Sequence, residues 1–224
     1  MRKRGSIRSI LLIILFIVII IGAAASLFSV IPQKVYDDEY FGIETVKSEV
    51  DYNGNGVDDF TDILLGARED AENKPKYIDK YYEGGYPPEN EGVCTDLVWR
   101  AFYNAGYDLK SMVDAHIRAN LDLYPEVNGV PDSNIDFRRV KNLKVFFENN
   151  TTSYSLDPND IEEWQPGDIV IFGENYTHIG IISDKRNSKG IPYLIHNGGQ
   201  KNREENMLVM YSYKQPITGH YRFE

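Results

Sequence analysis

Gly92-Val93-Cys94-Thr95-Asp96-Leu97-Val98-Trp99-Arg100-Ala101-Phe102-Tyr103-Asn104-Ala105-Gly106 is the stretch on which the fold turns. Leu97, Val98, Ala101, Phe102 and Ala105 recur at helical spacing, and Gly106 closes the pattern as a C-terminal cap residue does. This predicts a helix that opens at Cys94, the only cysteine in 224 residues. Unpaired N–H groups and the positive end of the helix dipole at such a position favour a thiolate, so the thiol is expected to be acidic. The competing account is a buried structural cysteine.

Outward from this helix the period changes. Toward the C-terminus, 168–172, 178–183, 193–196, 207–211 and 219–223 are short β-rich runs between polar turns, expected to pair into an antiparallel sheet. Upstream, helices are predicted over about 59–72 and 140–149, and 130–139 reads as loop. Helices first and sheet afterwards is an α+β order, with the Cys94 helix packed on the antiparallel β-sheet.

Residues 10–31 form an uncharged apolar run, long enough to cross a bilayer core of about 30 Å. Arg2, Lys3, Arg4 and Arg8 precede it and would hold the N-terminus in the cytoplasm. The expected organisation is a basic head at 1–9, one transmembrane helix at 10–31, a stalk at 32–50 and an extracellular domain. The alternative is a cleaved signal peptide ending near Ala23-Ala24-Ala25. Without the head, 20 Lys+Arg face 34 Asp+Glu, a balance that argues against nucleic acid as a partner. A single cysteine allows no internal disulfide. The chain is expected to be a monomer attached to the membrane through its N-terminal helix.

The segment 51–62 has calcium-loop spacing, with Asp51, Asn53, Asn55, Asp59 and Asp62 as side-chain ligands, the Val57 carbonyl between them and Gly56 at the sharp turn. Asp62 stands where a bidentate Glu is usual. The alternative is an Asn/Gly turn followed by a helix capped by Asp58 or Asp59. Calcium would be structural, and catalysis needs no cofactor. Residues 63–224 are left for a catalytic domain.

A thiol nucleophile needs an imidazole in reach and a third group to orient that imidazole. His178 begins a strand after a turn and His196 ends the next, so adjacent antiparallel strands would bring the two rings together; Asn197 is the alternative orienter. His116 and His220 lack that setting.

Tyr81-Tyr82-Glu83-Gly84-Gly85, the helix-opening Cys94, Trp164-Gln165-Pro166-Gly167-Asp168, His178-Ile179-Gly180 and Leu194-Ile195-His196 resemble the NlpC-type superfamily of papain-like cysteine peptidases. Gly92 to Asp96, Asn134-Ile135-Asp136-Phe137-Arg138, His196-Asn197-Gly198-Gly199 and Gly219-His220-Tyr221-Arg222 are similar to the bacterial domain-of-unknown-function family 1287. The resemblance implies a papain-like fold and hydrolysis of amide bonds in cell-wall (peptidoglycan) peptides, with Cys94 as nucleophile, His178 as base and His196 as orienter. It places Tyr81 near the oxyanion, with Tyr82 as its rival. Asp96 and Arg138 are expected to contact substrate, against capping and ion pairing as their alternatives. Val93 and Thr95-Asp96 depart from the superfamily's usual Asp and Ser-Gly. A binding module that has lost its chemistry, or a cysteine acyltransferase, would carry much the same residues.

Overall fold

The computed structural model describes residues 11–18 and 34–224. Residues 11–18 are helical; the remainder of the expected 10–31 span, and the 1–9 head, lie outside the described residues. Among the described residues no helix is long and apolar enough to cross a membrane. Val35–Glu224 form one compact unit.

That unit is mixed α+β. Six strands form one antiparallel sheet: β3 (Thr152–Ser153), β4 (Ile169–Phe172), β5 (His178–Arg186), β6 (Pro192–Ile195), β7 (Glu204–Glu205) and β8 (Ile217–Arg222), in the spatial order β3-β8-β4-β5-β6-β7. Period-2 alternation gives the sheet two apolar faces. Ile169, Ile171, Ile179, Ile181 and Ile195 pack with the helices Asp59–Asn73, Cys94–Asn104, Leu109–Ala119 and Val140–Asn150. Val170, Phe172, Ile182 and Leu194 pack on the other side with Trp164, Leu208 and Ile217. Such a sheet, covered on both faces, buries its strands almost completely.

The Cys94 helix is crossed by the Asp59–Asn73 helix, which starts where the Asp58 carboxylate accepts the Thr61 N–H. Gly66 sets that approach: a Cβ there would stand 2.6 Å from Asn104 Cβ and 2.9 Å from Ala101 Cα.

Three expectations need correction, and one helix adds to them. The run 207–211 is helical, within Leu208–Lys214, because Leu208 and Tyr211 both turn toward the sheet, a spacing that suits a helix and not a strand. The helix Leu109–Ala119, capped by Asp108, was not anticipated. The loop 130–139 contains a 3-10 turn at Asp136–Arg138. From residue 35 onward, the stalk belongs to the domain. Tyr36 bridges to Arg186, Ile43 is buried, and Val46 N–H donates to Gln165 Oε1 at 2.9 Å. Asp38 forms an ion pair with the fully buried Arg186, whose other N–H groups are taken by the carbonyls of Ile161, Gly190 and Trp164. A buried guanidinium of this kind has to be paired.

Candidate active site

Cys94 is the first residue of its helix and is 4% exposed. Near its sulfur lie the backbone N–H groups of Ile179, the residue after His178, and of Thr95. These donors favour the thiolate, but burial outweighs them, aided by the nearby Asp96 charge, and the thiol is pushed up to about 11. The expected acidic thiol is thereby corrected: the helix dipole acts on a group already stripped of water.

His178 and His196 come together from neighbouring strands. Ile181 pairs with Ile195, so the two histidines are diagonal neighbours on one face. Gly180 between them leaves the room, since a Cβ there would lie 2.8 Å from the Ile195 carbonyl oxygen and 3.1 Å from His196 Cβ. His178 Nε2 and His196 Nδ1 are 2.7 Å apart. Burial, with the neighbouring His196 adding to it, pushes His178 down to about 3. Desolvation thus disfavours both charged forms, and the resting pair is a neutral thiol and a neutral imidazole.

Two tyrosines frame this group. Tyr211 stacks on His178, ring centroids 4.8 Å apart at 27°, and meets His196 edge-on at 5.5 Å. Tyr77 is placed by the parallel pairing of β1 (Lys76–Tyr77) with β2 (Glu91–Gly92), which sets it beside Gly92, two residues before the cysteine. Both phenols are raised, chiefly by burial, and both feel the Cys94 charge.

Tyr81 is elsewhere: it is 55% exposed, and its hydroxyl meets Asn134 Nδ2 at 2.9 Å and Asp132 at 3.4 Å. Its rival Tyr82 is buried, with its hydroxyl on Glu91 at 2.7 Å. The oxyanion role expected of Tyr81 is therefore corrected, and Tyr77 is the tyrosine of this loop nearest the chemistry. Asn197 is not an orienter either. Its amide donates to the Gly92 carbonyl at 3.2 Å and its oxygen accepts the Gly199 N–H, tying the turn after His196 to the cysteine's approach.

Asp96 and Arg138, expected as substrate contacts, form a closed pair. Arg138 Nε and Nη2 meet the two Asp96 oxygens at 2.7 and 2.8 Å, and Nη1 donates to the Lys80 carbonyl. Asp96 also accepts from Val93 N–H at 2.7 Å and Trp99 Nε1 at 2.9 Å. Their side chains are 0% and 1% exposed, so no substrate reaches them. The pair serves the site indirectly, by fixing the residue that precedes Cys94.

The 51–62 loop is closed by its own hydrogen bonds. Asp51 accepts from the N–H groups of Gly54, Asn55 and Gly56, and the Asn53 and Asn55 amides converge on Asp62 Oδ2 at 2.8 and 2.9 Å. Asp59 departs from the expected ligand set: its oxygens accept from Tyr52 N–H and the Tyr107 hydroxyl, which tie it to the helix packing. The Val57 N–H donates to Asn55 Oδ1 at 2.7 Å. Among the described residues no group of three or more His, Cys, Asp or Glu side chains gathers closely enough for a metal. The capping alternative describes the following helix correctly, with Asp58 as the cap.

Fold and site together define an α+β domain in which a cysteine opens a helix packed on an antiparallel sheet, and two of that sheet's central strands carry a hydrogen-bonded histidine pair at their ends. The chain belongs to the family described as "Domain of unknown function (DUF1287)", which matches residues 64–223. It is also similar to a protein of Escherichia coli (strain K12) described as "Uncharacterized protein YijF", 37% identical over 155 residues, which are 66% of this chain and 72% of that protein.

Proposed function

We propose that this chain is an extracytoplasmic thiol hydrolase of the papain-like, NlpC-type superfamily, and that it cleaves amide bonds in cell-wall peptides. The observation that carries the reading is the 2.7 Å contact between His178 and His196, with Ile179, the neighbour of His178, packed in the same core cluster as the helix-opening Cys94. A hydrogen-bonded histidine pair next to a lone thiol has the parts of a nucleophile, a base and an orienter.

In the proposed reaction His178 takes the Cys94 proton as sulfur bonds to the amide carbonyl carbon. Because burial disfavours a free ion pair, transfer and attack proceed together. The N–H groups of Cys94 and Thr95 receive the oxyanion. The C–N bond then breaks, His178 passes its proton to the leaving amine, and water attacks the thioester with its proton going to His178 and then to the sulfur. The apolar run at 10–31 would anchor the domain outside the membrane, where wall peptides are accessible.

Purified sacculi treated with the full chain should release new amino and carboxyl termini, and the Cys94→Ala variant should release none. Equal release by wild type and Cys94→Ala would sink the proposal. Transfer to an acceptor other than water would appear as a conjugated product and would favour the acyltransferase reading.

A structural calcium ion in the 51–62 loop is a separate reading, favoured by the convergence of Asn53 and Asn55 on Asp62. A cation there would replace those two amide–carboxylate contacts by oxygen ligands from Asp51, Asn53, Asn55, Asp62 and the Val57 carbonyl, without Asp59.

A further inference from the structure

The far side of His196 is where the histidine pair meets the rest of the protein. Its Nε2 faces two groups, Glu205 Oε1 at 3.2 Å and Gln200 Nε2 at 2.9 Å. Glu205 is the only carboxylate hydrogen-bonded to either ring among the described residues. The Gln200 amide cannot turn over freely, because its oxygen accepts the Gly198 N–H at 2.7 Å. Its nitrogen therefore points at His196, with the His196 carbonyl and Glu205 Oε1, each at 3.2 Å, as its other acceptors.

Glu205 and Gln200 ask opposite things of the same nitrogen. A carboxylate only accepts, so contact with Glu205 requires a proton on His196 Nε2. Nδ1 is then bare and accepts from His178 Nε2–H, and His178 Nδ1 is left unprotonated. The two Gln200 N–H groups go to the His196 carbonyl and to Glu205. In the opposite arrangement Gln200 donates to His196 Nε2, Nδ1–H donates to His178 Nε2, and the remaining His178 nitrogen already carries a proton. Only the first arrangement lets His178 accept a proton from a thiol. It is also the only one that tolerates the imidazolium, which donates from both nitrogens.

We propose that Glu205 is a positioning residue which, through His196, selects the Nε2–H tautomer of both histidines and so keeps His178 Nδ1 free to act as a base. The inference rests on the reading of His178 as that base. Glu205 touches neither Cys94 nor His178; the other titratable group facing the rings is Tyr211, stacked on His178, and Tyr211 and Tyr77 both feel the Cys94 charge. A charge-assisted bond to a carboxylate is stronger than an amide's bond to a ring nitrogen, which sets the direction of the selection.

The test is imidazole nitrogen NMR of the full chain labelled at histidine, combined with alkylation of Cys94 at pH 7. In wild type His178 and His196 should both carry their proton on Nε2. In Glu205→Ala both should switch to Nδ1, and alkylation should slow at least about tenfold. Moving the carboxylate, in the double variant Glu205→Ala/Gln200→Glu, should restore the Nε2 signature and most of the rate. Persistence of the Nε2–H tautomer in Glu205→Ala overturns the inference, as does a switched tautomer that the double variant fails to reverse. The NMR signature does not depend on catalysis. If the tautomers behave as stated while His178→Ala leaves alkylation of wild-type Cys94 unchanged, the proposed function falls and the positioning of His196 by Glu205 stands as structure only.

Discussion

Asp96→Ala is expected to be the most damaging single substitution outside the reacting groups. It removes the acceptor of four hydrogen bonds, from Val93 N–H, Trp99 Nε1 and two Arg138 nitrogens, and leaves a guanidinium whose side chain is 1% exposed without a counter-charge. Breaking a buried pair from one side costs about 3–5 kcal/mol. In a domain of this size that lowers the melting temperature by about 6–20 °C. The double variant Asp96→Ala/Arg138→Met buries no charge and should recover roughly half of the loss or more. Thermal unfolding followed by circular dichroism reads both. A single variant melting within about 2 °C of wild type, or a double variant no better than the single, would refute the argument that this pair is a buried structural lock.

Asp38→Ala should destabilise the protein by about 3 kcal/mol or more in denaturant unfolding, because it strands the buried Arg186; an unchanged midpoint would return residues 35–50 to the role of a loose stalk. Calcium at millimolar concentration should raise the melting temperature by several degrees over a chelator, and Asp62→Ala should abolish the difference; equal melting temperatures in wild type would remove the cation from the account. Gly66→Ala should lower stability by about 1–3 kcal/mol, since the added methyl meets Ala101 backbone at 2.9 Å; a neutral result would mean the two helices can separate freely.

Much of this architecture could be read from periodicity. The runs 168–172, 178–183 and 219–223, which fall within or overlap the strands Ile169–Phe172, His178–Arg186 and Ile217–Arg222, and the Cys94 helix were visible because each carries a clear period and turn or cap residues at its ends. The pairing of His178 with His196 followed from their places on consecutive strands. Tyr211 was misread because a short run rich in Leu, Val and Tyr has strand propensity, and only packing against Phe172 and the histidines makes it helical. Glu205 and Gln200 were not legible at all. Their role depends on which nitrogen of His196 they face, a matter of angstroms that spacing along the chain does not encode. Burial also reversed the expectation for Cys94: the helix start was read correctly, but the loss of water around the thiol was not a local property of the sequence.

The measurement closest to the central claim is the rate of Cys94 alkylation by iodoacetamide as a function of pH, in wild type and in His178→Ala. Burial raises the thiol and lowers the imidazole, so both rest neutral, and His178 assists only by taking the proton as sulfur attacks. Base assistance does not need free thiolate, so wild-type alkylation should exceed that of His178→Ala by the widest margin at the acid end and climb less steeply with pH than the variant, where only free thiolate reacts and the rate rises about tenfold per pH unit. A wild-type rate that climbs in the same way as the variant would contradict the pairing of Cys94 with His178.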